Sequence, residues 1–305
     1  MSVCVLGSLN LDIVAYVAAL PRPGETVLAT RVERLPGGKG ANQAAASAKS
    51  GARTRLLGAV GGDAGGDAMF AAMRAAGVEA GEVIRIAGAP TGRAYVWVSE
   101  AGENCIVVAG GANLAVTPDM FDLQAAAQSR VILAQLETPA DTIEAVLAGP
   151  PAAAGCLRLL NAAPASEAGR RLLPLADILI VNEVELAAFT RIARPPEALD
   201  DVVAAARGLV ARPDQTVVVT LGRAGAVAVG ASDRTVIAGR PAKVVDTTGA
   251  GDCFCGALAA RLSEDVELGA ALQWANAAAA LSTERHGAVP AMPTRADVEA
   301  ALGLA

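Results

Sequence analysis

The sequence is poor in aromatic residues, in charge and in histidine, and its cysteines follow no metal-binding pattern. Aromatic residues make up only 3%, so the stacking surfaces that bind single-stranded nucleic acid are largely missing. A net charge of −6 and a pI near 5.0 argue against nucleic acid or an acidic membrane surface as the main partner. The five cysteines lack Cys-x-x-Cys spacing, and we interpret them as small buried residues of a protein from a reducing compartment. The chain shows neither a basic leader followed by an apolar segment nor a membrane-length apolar run, so we expect a cytoplasmic protein without a membrane partner.

Apolar residues are abundant, at 53% of the 305 residues, which is enough to bury a large core. From about residue 130, short apolar runs alternate with helical patterns, and polar residues follow the runs. This alternation predicts an α/β fold with a doubly wound, mainly parallel sheet, built as one domain with a small appendage. Because the carboxyl ends of parallel strands meet at one edge, we expect six residues to converge there: Glu137, Asn182, Glu185, Thr220, Gly222 and Asp252.

The segment 246–252, Asp-Thr-Thr-Gly-Ala-Gly-Asp, precedes a strong helical pattern and is the main candidate for chemistry. Gly249, Ala250 and Gly251 allow a turn whose backbone N–H groups aim at one point, where the helix dipole also favours an anion. Asp252 beside such an anion hole could accept the proton of an attacking hydroxyl during phosphoryl transfer. Taken alone, the alternative that Asp252 merely caps the helix is the simpler interpretation.

A second candidate is the segment 37–43, Gly-Gly-Lys-Gly-Ala-Asn-Gln, which opens an alanine-rich helix. Its glycines permit close approach of a ligand to the backbone, and Asn42 can reach the same place. The segment lacks the Gly-Lys-Ser/Thr ending of a Walker A loop, and a plain tight turn is the alternative. Lys39 is either a phosphate contact or a solvated side chain. Upstream, Asn10 and Asp12 share one face of a predicted strand, where they could bind hydroxyls or lie on a solvent-facing edge.

Three further segments have the pattern of β-hairpin strands: 26–35, 92–99 and 104–108. Along the second of them, alternation places Arg93, Tyr95 and Trp97 on one face and Ala94 on the other. We therefore expect the aromatic side chains to face away from a ligand that contacts Ala94.

On these residues the chain resembles the ribokinase (PfkB carbohydrate kinase) family. The resemblance rests on the entry at 37–42, the segment 246–252 and the Asn182-x-x-Glu185 pair between them. Their order and separation match the family over nearly the whole chain.

The resemblance implies a single ribokinase-like α/β domain over 1–305. It further implies a small β lid formed from about 13–36 and 91–109, which in this family often mediates homodimerisation. The implied reaction transfers the γ-phosphoryl group of ATP to a primary sugar hydroxyl, so the implied partners are a small sugar and ATP.

The resemblance also implies roles for individual residues. Asp252 is the catalytic base, and the amides of Ala250 and Gly251, after the turn at Gly249, line the anion hole. The implied sugar contacts are Asn10, Asp12, Gly38, Lys39, Asn42, Ala94, Ile106, Glu137 and Asp252. The implied nucleotide contacts are Asn182, Glu185, Thr220, Gly222, Gly225, Gly251 and Asn276, with Glu185 tied to Mg²⁺ through water. A K⁺ site is implied at Asp246, Thr248, Ser282, Arg285 and Gly287, largely through carbonyl oxygens, and Ala291 stands where relatives supply a serine.

The acceptor is predicted from the polar residues on the sugar side. Asn10, Asp12 and Glu137 suit the vicinal hydroxyls of ribose. A nucleoside would need apolar or aromatic surface, whereas Tyr95 faces away, and a sugar phosphate would need a cation, whereas Arg93 lies on the wrong face. We predict an ATP-dependent ribose kinase, with deoxyribose, fructose or a nucleoside as alternative acceptors. A non-catalytic sugar sensor is a further alternative, but it would be expected to have lost the base or the glycine turn.

Overall fold

A computed structural model describes residues 2–149 and 155–304 of the chain. A nine-stranded sheet in the order β13-β12-β11-β10-β9-β8-β1-β4-β5 forms its centre. The pairs β11–β12 and β12–β13 are antiparallel and all other pairs in this sheet are parallel. The strands of the two sheets are β1 Ser2–Leu6, β2 Asn10–Val17, β3 Arg31–Gly37, β4 Arg53–Gly61, β5 Val83–Ile86, β6 Gly92–Ser99, β7 Asn104–Ala109, β8 Val131–Gln135, β9 Leu157–Asn161, β10 Ile178–Asn182, β11 Thr216–Thr220, β12 Gly225–Val229 and β13 Arg234–Ala238.

Helices cover both faces of the large sheet, because its central strands carry apolar side chains on both faces and each face must be shielded from water. One core lies between the sheet and α1, α2, α7, α8 and α9, and the other lies between the sheet and α3 to α6. The doubly wound, mainly parallel sheet predicted from the sequence is thereby confirmed. The helices are α1 Lys39–Lys49, α2 Ala64–Ala75, α3 Leu123–Ala127, α4 Ala140–Ala148, α5 Glu183–Thr190, α6 Leu199–Arg207, α7 Ala250–Leu262, α8 Leu268–Ser282 and α9 Arg295–Leu302.

A separate four-stranded sheet, in the order β3-β2-β6-β7, is built from the segments in which hairpins were predicted. The prediction of a strand over 26–35 is wrong at its start, because β3 begins at Arg31. Its partner β2 ends at Val17, and Tyr16 already pairs with Arg31, so among the residues before Arg31 only Thr30, whose amide donates to the carbonyl of Tyr16 at 2.8 Å, is still hydrogen-bonded to β2.

The register of the small sheet decides which side chains share a face. Asp12 lies directly opposite Leu35 on β3 and Ala94 on β6, so these three residues share one face. Tyr95 pairs with Ile13 on the opposite face, as the alternation predicted. Cys105, on the edge strand β7, is exposed, which corrects the expectation that all five cysteines are buried.

A buried carboxylate links the end of one helix to the start of another on one face of the large sheet. The side chain of Glu264, only 7% exposed, lies just after α7 and is paired with Arg261 of α7 and Arg295 of α9. The Arg261 guanidinium also stacks 4.5 Å above the ring of Trp274 in α8. Within residues 2–149 and 155–304, no helix has the length and apolar character needed to cross a membrane.

Candidate active site

Asp252 lies in the first turn of α7 and is held by two side-chain amides. Gly249 is the N-cap of α7 and has φ 75°, a left-handed conformation that glycine adopts without strain. Asp252 is therefore not the cap, and the capping interpretation is wrong. Its carboxylate accepts hydrogen bonds from Asn42 Nδ2 and Gln43 Nε2, both at 2.9 Å, and the side chain is buried.

The start of α7 leaves two backbone N–H groups available for an anion. The amide of Ala250 donates to the carbonyl of Thr247 at 3.2 Å, so it is already engaged. The amides of Gly251 and Asp252 donate to no described residue. Of the two amides predicted to line an anion hole, that of Gly251 is therefore free and that of Ala250 is not, because the turn at Gly249 aims the Ala250 amide back into the preceding loop.

Two of the residues predicted to contact a sugar, Asn10 and Glu137, are held by hydrogen bonds near the end of β1 and the start of α1. Asn10 is buried, and its Oδ1 accepts from Asn113 Nδ2 at 2.8 Å. Glu137 accepts from the hydroxyl of Ser8 and, at 3.2 Å, from the backbone amide of Lys39, within the turn that opens α1. The predicted solvent-facing edge is wrong for Asn10. Sequence reasoning did not identify Asn113 or Ser8, because each is hydrogen-bonded to a residue more than 100 positions away in the sequence.

Asp12 is the most perturbed carboxyl of this group. Burial, reinforced by the negative charges of Glu137 and Asp252, raises its pKa from 3.8 to about 7. The Oδ1 atom of Asp12 and that of Asn42 are buried and find no partner among the described residues. A buried acceptor without a partner is costly, so each of these oxygens is a candidate contact for a ligand that carries hydroxyl groups.

A small cavity of about 150 Å³ opens beside Asp252 and the start of α7. Lys39 lines it and is half-buried, so the prediction of a solvated lysine is wrong. The charge of Asp252, followed by those of Glu137 and Glu185, raises the pKa of Lys39 against the effect of burial. Lys39 thus brings a positive charge to the cavity that the free amides of Gly251 and Asp252 also line.

Glu185 and Asn182 also line this small cavity. Their side chains make a capping box at the start of α5: Glu185 N donates to Asn182 Oδ1, and Asn182 N donates to Glu185 Oε2, each at 2.8 Å. Burial raises the pKa of Glu185, with the hydrogen bond from Asn182 and the charge of Lys39 opposing it.

A larger cavity of about 550 Å³ continues from the small one along α7 and α8. The predicted nucleotide residues Thr220, Gly222, Gly225 and Asn276 line it, and Asn276 Nδ2 donates to the carbonyl of Ala238 at 2.9 Å. Four residues border both cavities: Thr220, Thr247, Ala250 and Gly251. The free amides of α7 thus lie at the junction of an elongated cleft.

The residues predicted to form a cation site cluster behind this turn. Asp246 Oδ1 accepts from Thr248 N at 2.9 Å and Oδ2 from Gly287 N at 2.8 Å. These hydrogen bonds hold its pKa below the ordinary value although burial opposes them. The hydroxyl of Ser282 donates back to Ala279 within α8, and the Arg285 side chain is exposed. Asp246 thus joins the loop before α7 to the loop at Gly287, and the Ser282 hydroxyl is turned back into its own helix.

The two residues of the small sheet that were predicted to contact the sugar differ in burial. Ala94 is buried beside Asp12, whereas Ile106 is 53% exposed on β7. Arg93, on the other face, pairs with Asp63 at 3.4 Å.

The comparison with known families matches this chain to the pfkB family carbohydrate kinase model over residues 1–295. This chain belongs to the pfkB family. The match spans both glycine-containing segments and all the site residues described above, and the chain is therefore a carbohydrate kinase by family.

Individual relatives of this pfkB-family chain agree with that assignment. It is 36% identical to a ribokinase of Bacillus subtilis over 306 residues, covering 98% of both chains. It is 38% identical to the bifunctional ribokinase/ribose-5-phosphate isomerase A of Fructilactobacillus sanfranciscensis over 96% of its own length, but spans only 54% of that protein. Its fold matches that of Arabidopsis thaliana ribokinase complexed with ribose and ATP, with a TM-score of 0.87, 34% identity and coverage of 99% and 97% of the two chains.

Proposed function

We propose that this protein is an ATP-dependent ribose kinase that phosphorylates the primary 5-hydroxyl of D-ribose. The observation that carries the proposal is the environment of Asp252. It accepts a hydrogen bond from Asn42, whose own Oδ1, like that of Asp12, is buried and unpaired among the described residues, while the free amides of Gly251 and Asp252 line the small cavity, which meets the larger one at Gly251. In the proposal, a sugar hydroxyl bound at the unpaired acceptors and a terminal phosphate bound at the free amides meet at Asp252.

In the proposed reaction, Asp252 accepts the proton of the sugar hydroxyl as its oxygen bonds to the γ-phosphorus. The bond from that phosphorus to the bridging oxygen breaks, and ADP leaves with its electron pair. The amides of Gly251 and Asp252 and the ammonium of Lys39 stabilise the charge on the transferring group. Positioning and electrostatics supply most of the catalysis in such a transfer.

Ribose is favoured by what surrounds the sugar side. Asn10, Asp12 and Glu137 offer hydrogen-bond partners for vicinal hydroxyls. Tyr95 lies on the other face of the small sheet, so it offers no stacking surface for a nucleoside base. Arg93 is paired with Asp63 on that same far face, so it is not placed to bind a sugar phosphate.

Mg²⁺ and K⁺ are part of the proposal. Within residues 2–149 and 155–304 there is no cluster of three or more side chains that could cage a metal. This fits a Mg²⁺ ion that keeps its waters and reaches the protein through Glu185, as Mg²⁺ with nucleotide phosphates commonly does. For K⁺, the carbonyl oxygens of the loops joined by Asp246 and Gly287 are the candidate ligands, and activity is expected to rise when Na⁺ is replaced by K⁺.

We further propose that the small sheet is a lid over the sugar and a homodimer contact. The strand β7 is exposed along its whole length, and Ile106 and Val108 place apolar side chains on the face that carries Asp12. A contiguous exposed apolar surface of this kind is typical of an interface. Val108→Asp is expected to give a monomer in light scattering, whereas Val236→Asp, at a 48%-exposed valine of the large sheet, is the matched control.

The test combines an acceptor panel with one substitution. ATP consumption is measured with ribose, deoxyribose, fructose, adenosine and fructose 6-phosphate, each with K⁺ or Na⁺, and ribose is expected to give the highest kcat/KM. Asp252→Asn is expected to lower kcat by at least about 10³-fold while ribose binding, measured by calorimetry, survives. Preference for another acceptor would overturn the ribose assignment, and near-normal turnover of the variant would overturn the base.

A further inference from the structure

Gln43 contacts Asp252 from a position that is completely shielded from solvent. Its side chain is completely buried in α1, one residue after Asn42. Its Nε2 donates to Asp252 Oδ1 at 2.9 Å and to Asn161 Oδ1 at 3.0 Å, and its Oε1 accepts from Gln135 Nε2 at 2.7 Å. Both N–H bonds and the carbonyl of this amide are thus used within the protein.

The direction of these hydrogen bonds is determined by their partners. An ionised Asp252 can only accept, so the amide nitrogen of Gln43 must face it, and its oxygen must then face Gln135. Gln135 and Asn161 lie at the carboxyl ends of the neighbouring strands β8 and β9, which are rigid parts of the sheet. The orientation of Gln43 is therefore set by the sheet rather than by a loop.

Asn42 differs from Gln43 in one respect that matters for function. Asn42 donates to Asp252 Oδ2, but its own Oδ1 is buried and unpaired among the described residues, so it remains available to a ligand. Together the two amides bind one carboxylate oxygen each, which fixes the plane of the carboxylate. Each oxygen keeps a second lone pair, so Asp252 can still receive a proton.

We propose that Gln43 is a positioning residue that orients the carboxylate of Asp252 for proton abstraction, and that Gln135 in turn orients Gln43. The proposal rests on the proposed function, since it presupposes that Asp252 is the base. Its physical basis is that a reacting group displaced by about 1 Å can lose about 10²-fold in rate. Without Gln43, one carboxylate oxygen is free to rotate away from the hydroxyl.

The test replaces Gln43 by methionine, which has a similar length but cannot donate a hydrogen bond. We expect kcat to fall about 10²-fold while the KM values for ribose and ATP stay within about threefold of wild type. Ser47→Ala is the control. Ser47 lies in the same helix as Gln43, and the substitution removes its buried hydrogen bond to Thr54 without changing any residue of the site. Its kcat is expected to equal that of the wild-type protein.

A double-mutant cycle separates positioning from a general loss of structure. In the Asp252→Asn background, Gln43→Met is expected to cause no further fall in single-turnover rate, because no base remains to be positioned. An equal fall in both backgrounds, or a wild-type kcat for Gln43→Met alone, would overturn the proposal. If Asp252→Asn itself keeps normal turnover, the proposed function has failed instead.

A second variant covers the case in which Gln43→Met does not fold. Gln135→Met leaves the hydrogen bond from Gln43 to Asp252 possible but removes the donor that orients Gln43. We expect about a tenfold fall in kcat with unchanged KM values, and again no effect in the Asp252→Asn background. A wild-type kcat for Gln135→Met would contradict the proposal that Gln135 orients Gln43.

Discussion

Replacing Asp12 by asparagine is expected to stabilise the sugar-free protein at alkaline pH while it weakens sugar binding. Burial, with the charges of Glu137 and Asp252, raises the pKa of Asp12 from 3.8 to about 7. The folded protein therefore holds this proton more tightly than the unfolded chain does. Because the folded-state pKa is the higher one, stability is greatest at low pH and is lost as the pH rises towards 7.

The structure allows the size of this effect to be worked out. The difference between the ordinary and the raised pKa of Asp12 corresponds to about 4 kcal/mol of folding free energy. About 3 kcal/mol of this stability is lost as the pH rises from about 5 to about 8. Asparagine carries no charge at either pH, so Asp12→Asn is expected to gain about 3 kcal/mol relative to wild type across this interval.

The assay is urea unfolding of both proteins without sugar at about pH 5, 6.5 and 8. Asp119→Asn, at an exposed carboxylate, is the control and is expected to leave the pH dependence of unfolding as in the wild type. If Asp12→Asn and wild type differ by the same free energy at all three pH values, Asp12 does not titrate in this range and the reasoning fails.

The same carboxylate is expected to make ribose binding depend on pH. Only ionised Asp12 can accept hydrogen bonds from sugar hydroxyls with both oxygens, so the Kd of wild type should weaken about tenfold per pH unit below about 6.5. Asp12→Asn should bind ribose about 10- to 100-fold more weakly at pH 8 and lose this pH dependence. Calorimetry at several pH values measures both effects, and a pH-independent wild-type Kd would refute the argument.

Three other predictions concern packing and the sugar site. Glu264→Ala is expected to cost about 3 kcal/mol of stability, seen as a lower Tm, because it leaves two partly buried arginines without their shared carboxylate; an unchanged Tm would contradict this. Gly40→Ala should lower the free energy of unfolding by about 1–3 kcal/mol and should also lower kcat, because the new Cβ would lie 2.4 Å from the carbonyl carbon of Gly7. Gly62→Ala is the control, since its Cβ would point into open space and should change neither quantity. Glu137→Ala should raise the KM for ribose far more than that for ATP, and equal increases would move Glu137 away from the sugar.

The sequence alone was sufficient for the class of the large sheet, doubly wound and mainly parallel, but not for its strand order or its antiparallel edge. Apolar runs such as β8, β10 and β11 are long enough, and apolar enough on both sides, that only a sheet covered by helices on both faces can bury them. Their order along the chain and the polar residues at their ends then predict the edge at which the site lies. These properties are local, so they can be read without knowing any long-range contact.

The helices on the second face were harder to recognise. The short helices α3 and α5 have too few turns to show a clear helical period of apolar residues. The capping box of Asn182 and Glu185 was interpreted only as a ligand-binding motif. That pair has a structural role whatever else it binds, since it satisfies the free backbone groups at the start of α5.

Only the tertiary structure decided how the site residues support one another. Asp252 and Gln43 are 209 positions apart, and their hydrogen bond exists because α1 and α7 pack side by side. The shift of the free amides to Gly251 and Asp252 depends on the φ of Gly249, and the raised pKa of Asp12 depends on burial beside two other carboxylates. Residue type and period determine which elements form, whereas orientation, burial and charge coupling arise only when those elements are packed together.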